Sequence, residues 1–168
     1  MKITLDNWDG SSCREEIYHV NSSVKLLGIL ERLDNKKHTL VNFVLLEENY
    51  LMIGGGNGKY VITGEENGIV FNFLNPSEGS TLKIELNTGG QIGLFESKYI
   101  LSKEMAFKCA VKCFTIGCIP QNDLDFVWEK YWGLVLITFY QARSLSKKFP
   151  VNSVGIRYKE HTHVVSSR

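Results

Sequence analysis

The sequence predicts an α+β protein in which an antiparallel β-meander of about five to six strands carries two main helices. Three observations lead to this prediction. Short apolar and β-branched runs alternate with turn signals through the first half of the chain. The links between these runs are too short for parallel crossovers, so consecutive strands must pair antiparallel. Two other segments carry apolar residues at helical spacing.

The first elements are a strand, a turn and a helix. Residues 3–8 begin with alternating polarity and predict a short strand, and Asp9-Gly10 predicts the turn after it. Ser22 or Ser23 is suited to cap the first helix. The apolar stripe of this helix consists of Leu26, Leu27, Leu30 and Leu33. We expect the helix to end at Asp34-Asn35.

Further strands and a second helix follow. The strand-like runs cover residues 39–46, 50–53, 59–63, 69–74 and 81–86. Asn67-Gly68 is the strongest hairpin signal in the chain, and Gly89 to Gly93 is expected to form an irregular link. The second helix is predicted over about 103–116, with Ser102 as its N-cap and Gly117 at its end. Apolar residues surround most of this helix, so we expect it to be buried against the sheet.

Charge is distributed unevenly along a chain whose formal net charge is +1. Residues 1–130 contain 13 basic and 17 acidic residues, whereas residues 131–168 contain six basic residues and one acid. We therefore predict an acidic α+β domain over residues 1–130 and a basic C-terminal extension over residues 131–168. An acidic domain disfavours direct nucleic-acid binding, because phosphates attract Lys and Arg. It suits a basic protein partner instead.

The composition is that of a globular protein, with 43% hydrophobic and 22% charged residues in a chain of 168. No run approaches the ~20 apolar residues that a membrane span needs. Four cysteines in a chain of this size do not indicate a disulfide scaffold, and the first residues lack the layout of a signal peptide. We expect a cytoplasmic protein that does not associate with membranes.

The glycine-rich segment Gly54 to Gly58 is the first candidate for ligand binding. A phosphate-binding P-loop needs a Lys followed by Ser or Thr and then a helix. Here Tyr60 follows Lys59 and a strand begins, so we interpret the segment as a hairpin loop. A small-ligand or nucleotide-binding module that uses this loop is the alternative interpretation.

The sequence offers only weak signals for metal binding or catalysis. Candidate zinc ligands are Cys109, Cys113, Cys118, His161 and His163. Their spacing matches no strong zinc template. His19 and His38 are isolated, and there is no nucleophile elbow. We expect no metal, no cofactor and no enzymatic activity, with a hydrolase or deaminase as the enzymatic alternative and a structural subunit as a further one.

Several short motifs occur in order along residues 1–130. They are Asp6-Asn7-Trp8-Asp9-Gly10, Leu33-Asp34, His38-Thr39-Leu40, the segment Leu51 to Thr63, Gly89-Gly90-Gln91, the helix from Ala106 to Phe114, and Trp128-Glu129. In this order they resemble a bacterial polymorphic-toxin immunity protein family that is commonly paired with toxins of the nucleic-acid deaminase superfamily. The most distinctive parts are the Gly-Gly-Gly-x-Gly segment and Trp128-Glu129.

The resemblance implies an inhibitor that binds a cognate toxin domain in the cytosol and covers the active site or substrate groove of that toxin. A toxin that acts on nucleic acid must carry a basic groove, in which carboxylates could occupy the phosphate positions. Trp128 and Glu129 could be presented together at the surface. The predicted partner-binding residues are Glu47, Glu48, Gly55, Gly56, Glu65, Glu66, Glu78, Trp128 and Glu129.

Overall fold

A computed structural model describes residues 1–46 and 49–132. These residues form nine strands, two α-helices and one 3-10 turn. In chain order the elements are β1 (Lys2–Asp9), β2 (Ser12–His19), α1 (Ser23–Leu30), β3 (Leu40–Val44), β4 (Tyr50–Gly56), β5 (Lys59–Glu66), β6 (Ile69–Leu74), β7 (Lys83–Thr88), β8 (Gln91–Glu96), the 3-10 turn (Ser97–Tyr99), α2 (Lys103–Ile116) and β9 (Val127–Trp132). Of the predicted C-terminal extension, all but Tyr131 and Trp132 lies outside the described residues.

Seven strands form one antiparallel sheet in the order β2-β1-β3-β4-β5-β6-β9, and β7 and β8 form a separate hairpin. The predicted α+β class is confirmed, and so is the meander from β3 to β6, in which each strand pairs with the next. Its two tight turns are Asn57-Gly58 and Asn67-Gly68. All four of these residues have positive φ, which two-residue type I′ hairpin turns require.

The structure differs from the sequence prediction in several strand assignments and in one pairing. Ser12–His19 forms the edge strand β2, although most of its side chains are exposed and its sequence shows no regular alternation of polar and apolar residues. Gly54–Gly56 belongs to β4 rather than to a loop, and most of the expected link at Gly89 to Gly93 is the turn and beginning of β8. β7 does not continue the meander, because β9 takes the place beside β6. The main sheet therefore has seven strands rather than five to six.

Local capping signals determine both helices. The Ser22 hydroxyl accepts a hydrogen bond from the Lys25 N–H (3.3 Å), and the chain leaves α1 after Leu30, earlier than predicted. The Asp34 side chain instead accepts the backbone N–H groups of three following residues, which stabilises a turn. The second helix is confirmed with both predicted ends, since Ser102 caps its N-terminus and Gly117 adopts φ 75°.

One face of the seven-stranded sheet carries the main hydrophobic core, which it shares with α1 and α2. Its large buried side chains from the strands include Ile3, Leu5, Val41, Phe43, Leu51, Ile53, Phe71 and Phe73. The β7–β8 hairpin packs on the other face, which we call the second face. A β-carbon on Gly54 of β4 would lie 2.6 Å from Thr88 Cγ2 of β7, so glycine permits this close approach.

Candidate protein-binding face

Three of the motifs that carry the resemblance, those that contain Asp6, Thr39 and Gly90, meet around the segment before β3. The Asp6 carboxylate accepts hydrogen bonds from the Trp8 indole N–H (2.7 Å), the Thr39 N–H (2.6 Å), the Thr39 hydroxyl (2.5 Å) and the Leu40 N–H (2.9 Å). The Gly90 N–H donates to the Thr39 hydroxyl oxygen (2.9 Å). These hydrogen bonds connect β1, β3 and the β7–β8 turn. The residues therefore stabilise the fold at this junction.

Two of the predicted contact residues, Gly55 and Gly56, are buried inside this junction. A β-carbon on Gly56 would lie 2.4 Å from the Asn35 nitrogen and 2.7 Å from the Leu33 carbonyl oxygen. The Gly55 N–H already donates to the Thr39 carbonyl (2.9 Å). The absence of side chains at these glycines therefore lets the segment from Leu33 to Asn35 cross β4 at short distance. Because that segment covers the glycines, their backbone does not form an open cradle for a ligand.

Trp128 and Glu129 lie on opposite faces of the sheet, because successive residues of a strand alternate. The Trp128 ring packs in the core, stacked on Phe73 at a centroid distance of 5.1 Å, and its N–H donates to the Pro120 carbonyl (3.3 Å). Glu129 lies on the second face. The expectation that these two residues form one surface feature is wrong.

The other predicted acids are also divided. Glu65 and Glu66 end β5 on opposite faces, and Glu78 is exposed in the loop between β6 and β7. Glu47 and Glu48 lie outside the described residues. Of the predicted residues that are described, the structure therefore brings only Glu65 and Glu129 together on the second face.

The strand register places one residue of every strand of the main sheet in a row along the end of the second face. This outer row reads His19, Lys2, Val44, Tyr50, Glu65, Val70 and Tyr131. Glu129 belongs to the next row and lies beside Tyr131, two residues away on β9. We call Tyr50, Glu65, Val70, Glu129 and Tyr131 the acid–tyrosine face. Exposed Val44 adjoins it.

Hydrogen bonds from tyrosines orient both carboxylates of this face. The Tyr50 hydroxyl donates to Glu65 (3.2 Å). Glu129 accepts from the Tyr99 hydroxyl and from Lys98 Nζ (3.4 Å), and the hydroxyls of Tyr99 and Tyr131 are 3.3 Å apart. A side chain held in this way loses less conformational freedom when a partner binds.

The pKa values reflect these contacts. Hydrogen bonds from Tyr131 and Tyr99 lower the pKa of Glu129 below its ordinary value. Burial, followed by the charge of Glu65, raises the pKa of Tyr50 to about 12. Burial also raises the pKa of Tyr131. In neutral solution the face therefore presents the ionised carboxylate of Glu129 beside the neutral phenols of Tyr50 and Tyr131.

The two carboxylates at the end of β5 have no direct ion-pair partner in the described part of the chain. Glu65 and Glu66 form no ion pair with another described residue, and Glu66 instead accepts from the Gln121 amide (3.0 Å). Among the described residues, Glu129 forms an ion pair with Lys98 at 3.4 Å. Tyrosine is enriched at protein interfaces, and uncompensated carboxylates attract basic surfaces. The arrangement therefore suits contact with a basic protein.

Cys109, Cys113 and His38, three of the candidate side chains for metal binding or catalysis, are buried in the fold. Burial raises the pKa of the Cys113 thiol to about 12 and also raises that of Cys109. His38 is held between the Asp6 carbonyl (2.6 Å) and the Arg32 guanidinium (3.1 Å). Within residues 1–46 and 49–132 no three His, Cys, Asp or Glu residues are grouped as metal ligands.

In the same ranges no helix is long and apolar enough to span a membrane.

Sequence reasoning missed Tyr50, Val70, Tyr99 and Tyr131. Period-two alternation could have placed Tyr131 on the same face as Glu129. The pairing of Tyr50 with Glu65 depends on the register of two strands, which no local signal gives.

No model of a known protein family matches the chain, and no curated protein matches it. The resemblance to immunity proteins therefore rests on the motifs alone.

Proposed function

We propose that this chain is an immunity protein that neutralises a cognate bacterial toxin domain by binding it. The toxin acts on nucleic acid, with deamination as the candidate reaction, and the chain covers its active site or substrate groove in the cytoplasm. The observation that carries the proposal is the acid–tyrosine face, where Tyr50 and Tyr131 stand beside the carboxylates of Glu65 and Glu129.

The physical argument is electrostatic complementarity. An enzyme that acts on nucleic acid needs a basic groove for the phosphates. The carboxylates of Glu65 and Glu129 can take the phosphate positions, while Tyr50 and Tyr131 supply the large, rigid contact area that often anchors an interface. Because such charges steer encounter, the association rate should fall as salt is added.

We also propose that the protein acts by binding rather than by catalysis. This is supported by the surroundings of its reactive groups, since burial raises the pKa values of Cys109 and Cys113 and Asp6 already accepts four hydrogen bonds. The alternative of a ligand site at Gly54 to Gly58 is disfavoured by the burial of Gly55 and Gly56.

The test is co-expression with the toxin domain that we expect a neighbouring gene to encode. We expect the wild-type chain to protect cells and to form a complex whose association rate falls with ionic strength. Failure of the wild-type chain to protect or to bind would contradict the proposed function.

A matched pair of charge reversals tests the position of the face. Glu65→Lys should weaken the complex about tenfold or more, equivalent to about 1.4 kcal/mol. Glu85→Lys changes the net charge equally but lies at an exposed position of β7, away from the acid–tyrosine face, so it should have a much smaller effect. Equal effects of the two variants would show that net charge matters and the acid–tyrosine face does not.

A further inference from the structure

Strand β8 is the outermost element of the β7–β8 hairpin. β7 pairs with β8 over six residue pairs. The side chain of Thr88 on β7 also packs on Gly54 of β4. No described strand pairs with the far edge of β8. An unpaired edge presents backbone N–H and C=O groups that can accept another strand. A partner that pairs with this edge through its backbone must be an extended segment.

The side chains of β8 leave apolar surface in water. Ile92 is 70% exposed and Leu94 is 66% exposed. Both lie on the side of the hairpin that carries Glu85 and Asn87, opposite to buried Leu86. The segment from Gln91 to Phe95 contains neither a charged residue nor a proline. It lacks the features with which proteins normally prevent pairing at an edge.

We propose that β8 pairs antiparallel with β8 of a second copy of this chain, around a two-fold axis at Gly93. A two-fold axis perpendicular to the sheet keeps every residue on its own side. In this register Ile92 of each copy lies opposite Leu94 of the other, and Gly93 lies opposite Gly93. The two hairpins then form one four-stranded sheet in the order β7-β8-β8-β7.

The edge itself favours a second copy over another partner. The segment is uncharged, so it offers no complement to the basic toxin surface considered above. Its exposed residues, Ile92 and Leu94, are two positions apart and complement each other when the strand is reversed. The two Glu96 carboxylates fall at opposite ends of the pairing, which keeps like charges apart. The acid–tyrosine face belongs to other strands, so the dimer does not depend on the proposed function.

Sedimentation velocity of the full chain over a wide concentration range tests the dimer. We expect a monomer–dimer equilibrium for the wild type. Leu94→Lys should raise the dissociation constant about tenfold or more, because it removes the apolar contact between position 94 and Ile92 of the other copy, which occurs twice in the dimer. Leu124→Lys introduces the same change at a fully exposed loop position (101%) and should behave as wild type. A wild-type chain that stays monomeric, or a Leu94→Lys dimer as tight as the wild type, would overturn the proposal.

Cross-linking tests the register. Cys13 is exposed, so it is first replaced by serine. In this background the double variant Ile92→Cys, Leu94→Cys should form a covalent dimer under mild oxidation, because each new thiol faces its counterpart in the other copy. The matched double variant Lys83→Cys, Glu85→Cys on β7 should remain monomeric. Equal cross-linking of the two variants would overturn the β8 register.

Discussion

The indole of Trp8 lies against Gly90 so closely that a β-carbon on Gly90 would stand 2.2 Å from the ring carbon Cζ2. The same indole donates its N–H to Asp6, and the Gly90 N–H donates to the Thr39 hydroxyl oxygen. The contact therefore ties the β7–β8 turn to β1 and to the start of β3. Only a residue without a side chain fits between the turn and the ring.

Gly90→Ala should lower the free energy of unfolding by about 2–4 kcal/mol, from backbone strain and overpacking together. The strain arises because φ is +74° at this position, and the overpacking arises because the new methyl group overlaps the Trp8 ring. Urea unfolding followed by tryptophan fluorescence measures the change.

Gly68→Ala is the control for this substitution. Gly68 has nearly the same φ, +76°, but no atom lies within 4 Å of a β-carbon placed there. It should lose only the strain contribution of about 1 kcal/mol. Equal losses in the free energy of unfolding for the two variants would contradict the close contact between Gly90 and Trp8.

Asp6→Asn should destabilise the fold by about 2–3 kcal/mol. The amide keeps the shape of the carboxylate but places an NH₂ group against donors, so at least one of the four hydrogen bonds becomes a repulsion between donors. The midpoint of urea unfolding should fall while its slope stays constant. Asp9→Asn, at the exposed end of the same strand, should change the midpoint little. Equal midpoints for the two variants would contradict the role of Asp6.

Acid should remove the stabilisation that Glu16 provides. Hydrogen bonds from Arg32 and Tyr18 lower the pKa of Glu16 from 4.5 to about 2. A carboxyl group whose pKa is depressed by folding stabilises the protein fully above the pKa of the unfolded chain, and loses this effect as the pH falls through the folded pKa. The contribution should therefore be complete above pH 4.5 and disappear towards pH 2.

Glu16→Gln measures this contribution. Near neutral pH the variant should be less stable by about 1 kcal/mol, since the Glu16 and Arg32 side chains are still 27% and 35% exposed. The difference from wild type should shrink as the pH is lowered through the window given above. Glu15→Gln, the exposed neighbour on the other face of β2, is the control and should change the stability near neutral pH little. A difference between wild type and Glu16→Gln that stays constant with pH would contradict the ion pair.

Features set by local signals could be predicted from the sequence, whereas long-range pairing could not. The N-cap Ser102, the C-terminal Gly117 and the Asn67-Gly68 turn act within a few residues, and all three are confirmed. Strand β2 was missed because most of its side chains are exposed, so its sequence needs no regular alternation of polar and apolar residues. The position of β9 beside β6 joins segments more than fifty residues apart, and no periodicity reports it.

The same distinction applies to the candidate site. The charge of Glu65 and Glu129 is visible in the sequence, but their relation to Tyr50 and Tyr131 depends on strand register. The glycines of β4 appear in the sequence as a loop, because their packing partner, the segment from Leu33 to Asn35, is distant along the chain.

The cysteines should react with a thiol reagent in an order set by burial. Cys13 is exposed, Cys118 is half-buried, and Cys109 and Cys113 are buried. Because only the thiolate reacts, the raised pKa values of the two buried thiols slow them further. In the native protein we expect one fast phase and one slower phase, with the remaining two thiols reacting only after urea unfolding. Cys13→Ser should remove the fast phase alone. If all four thiols of the native chain reacted at one rate, the buried position of α2 against the sheet would be wrong.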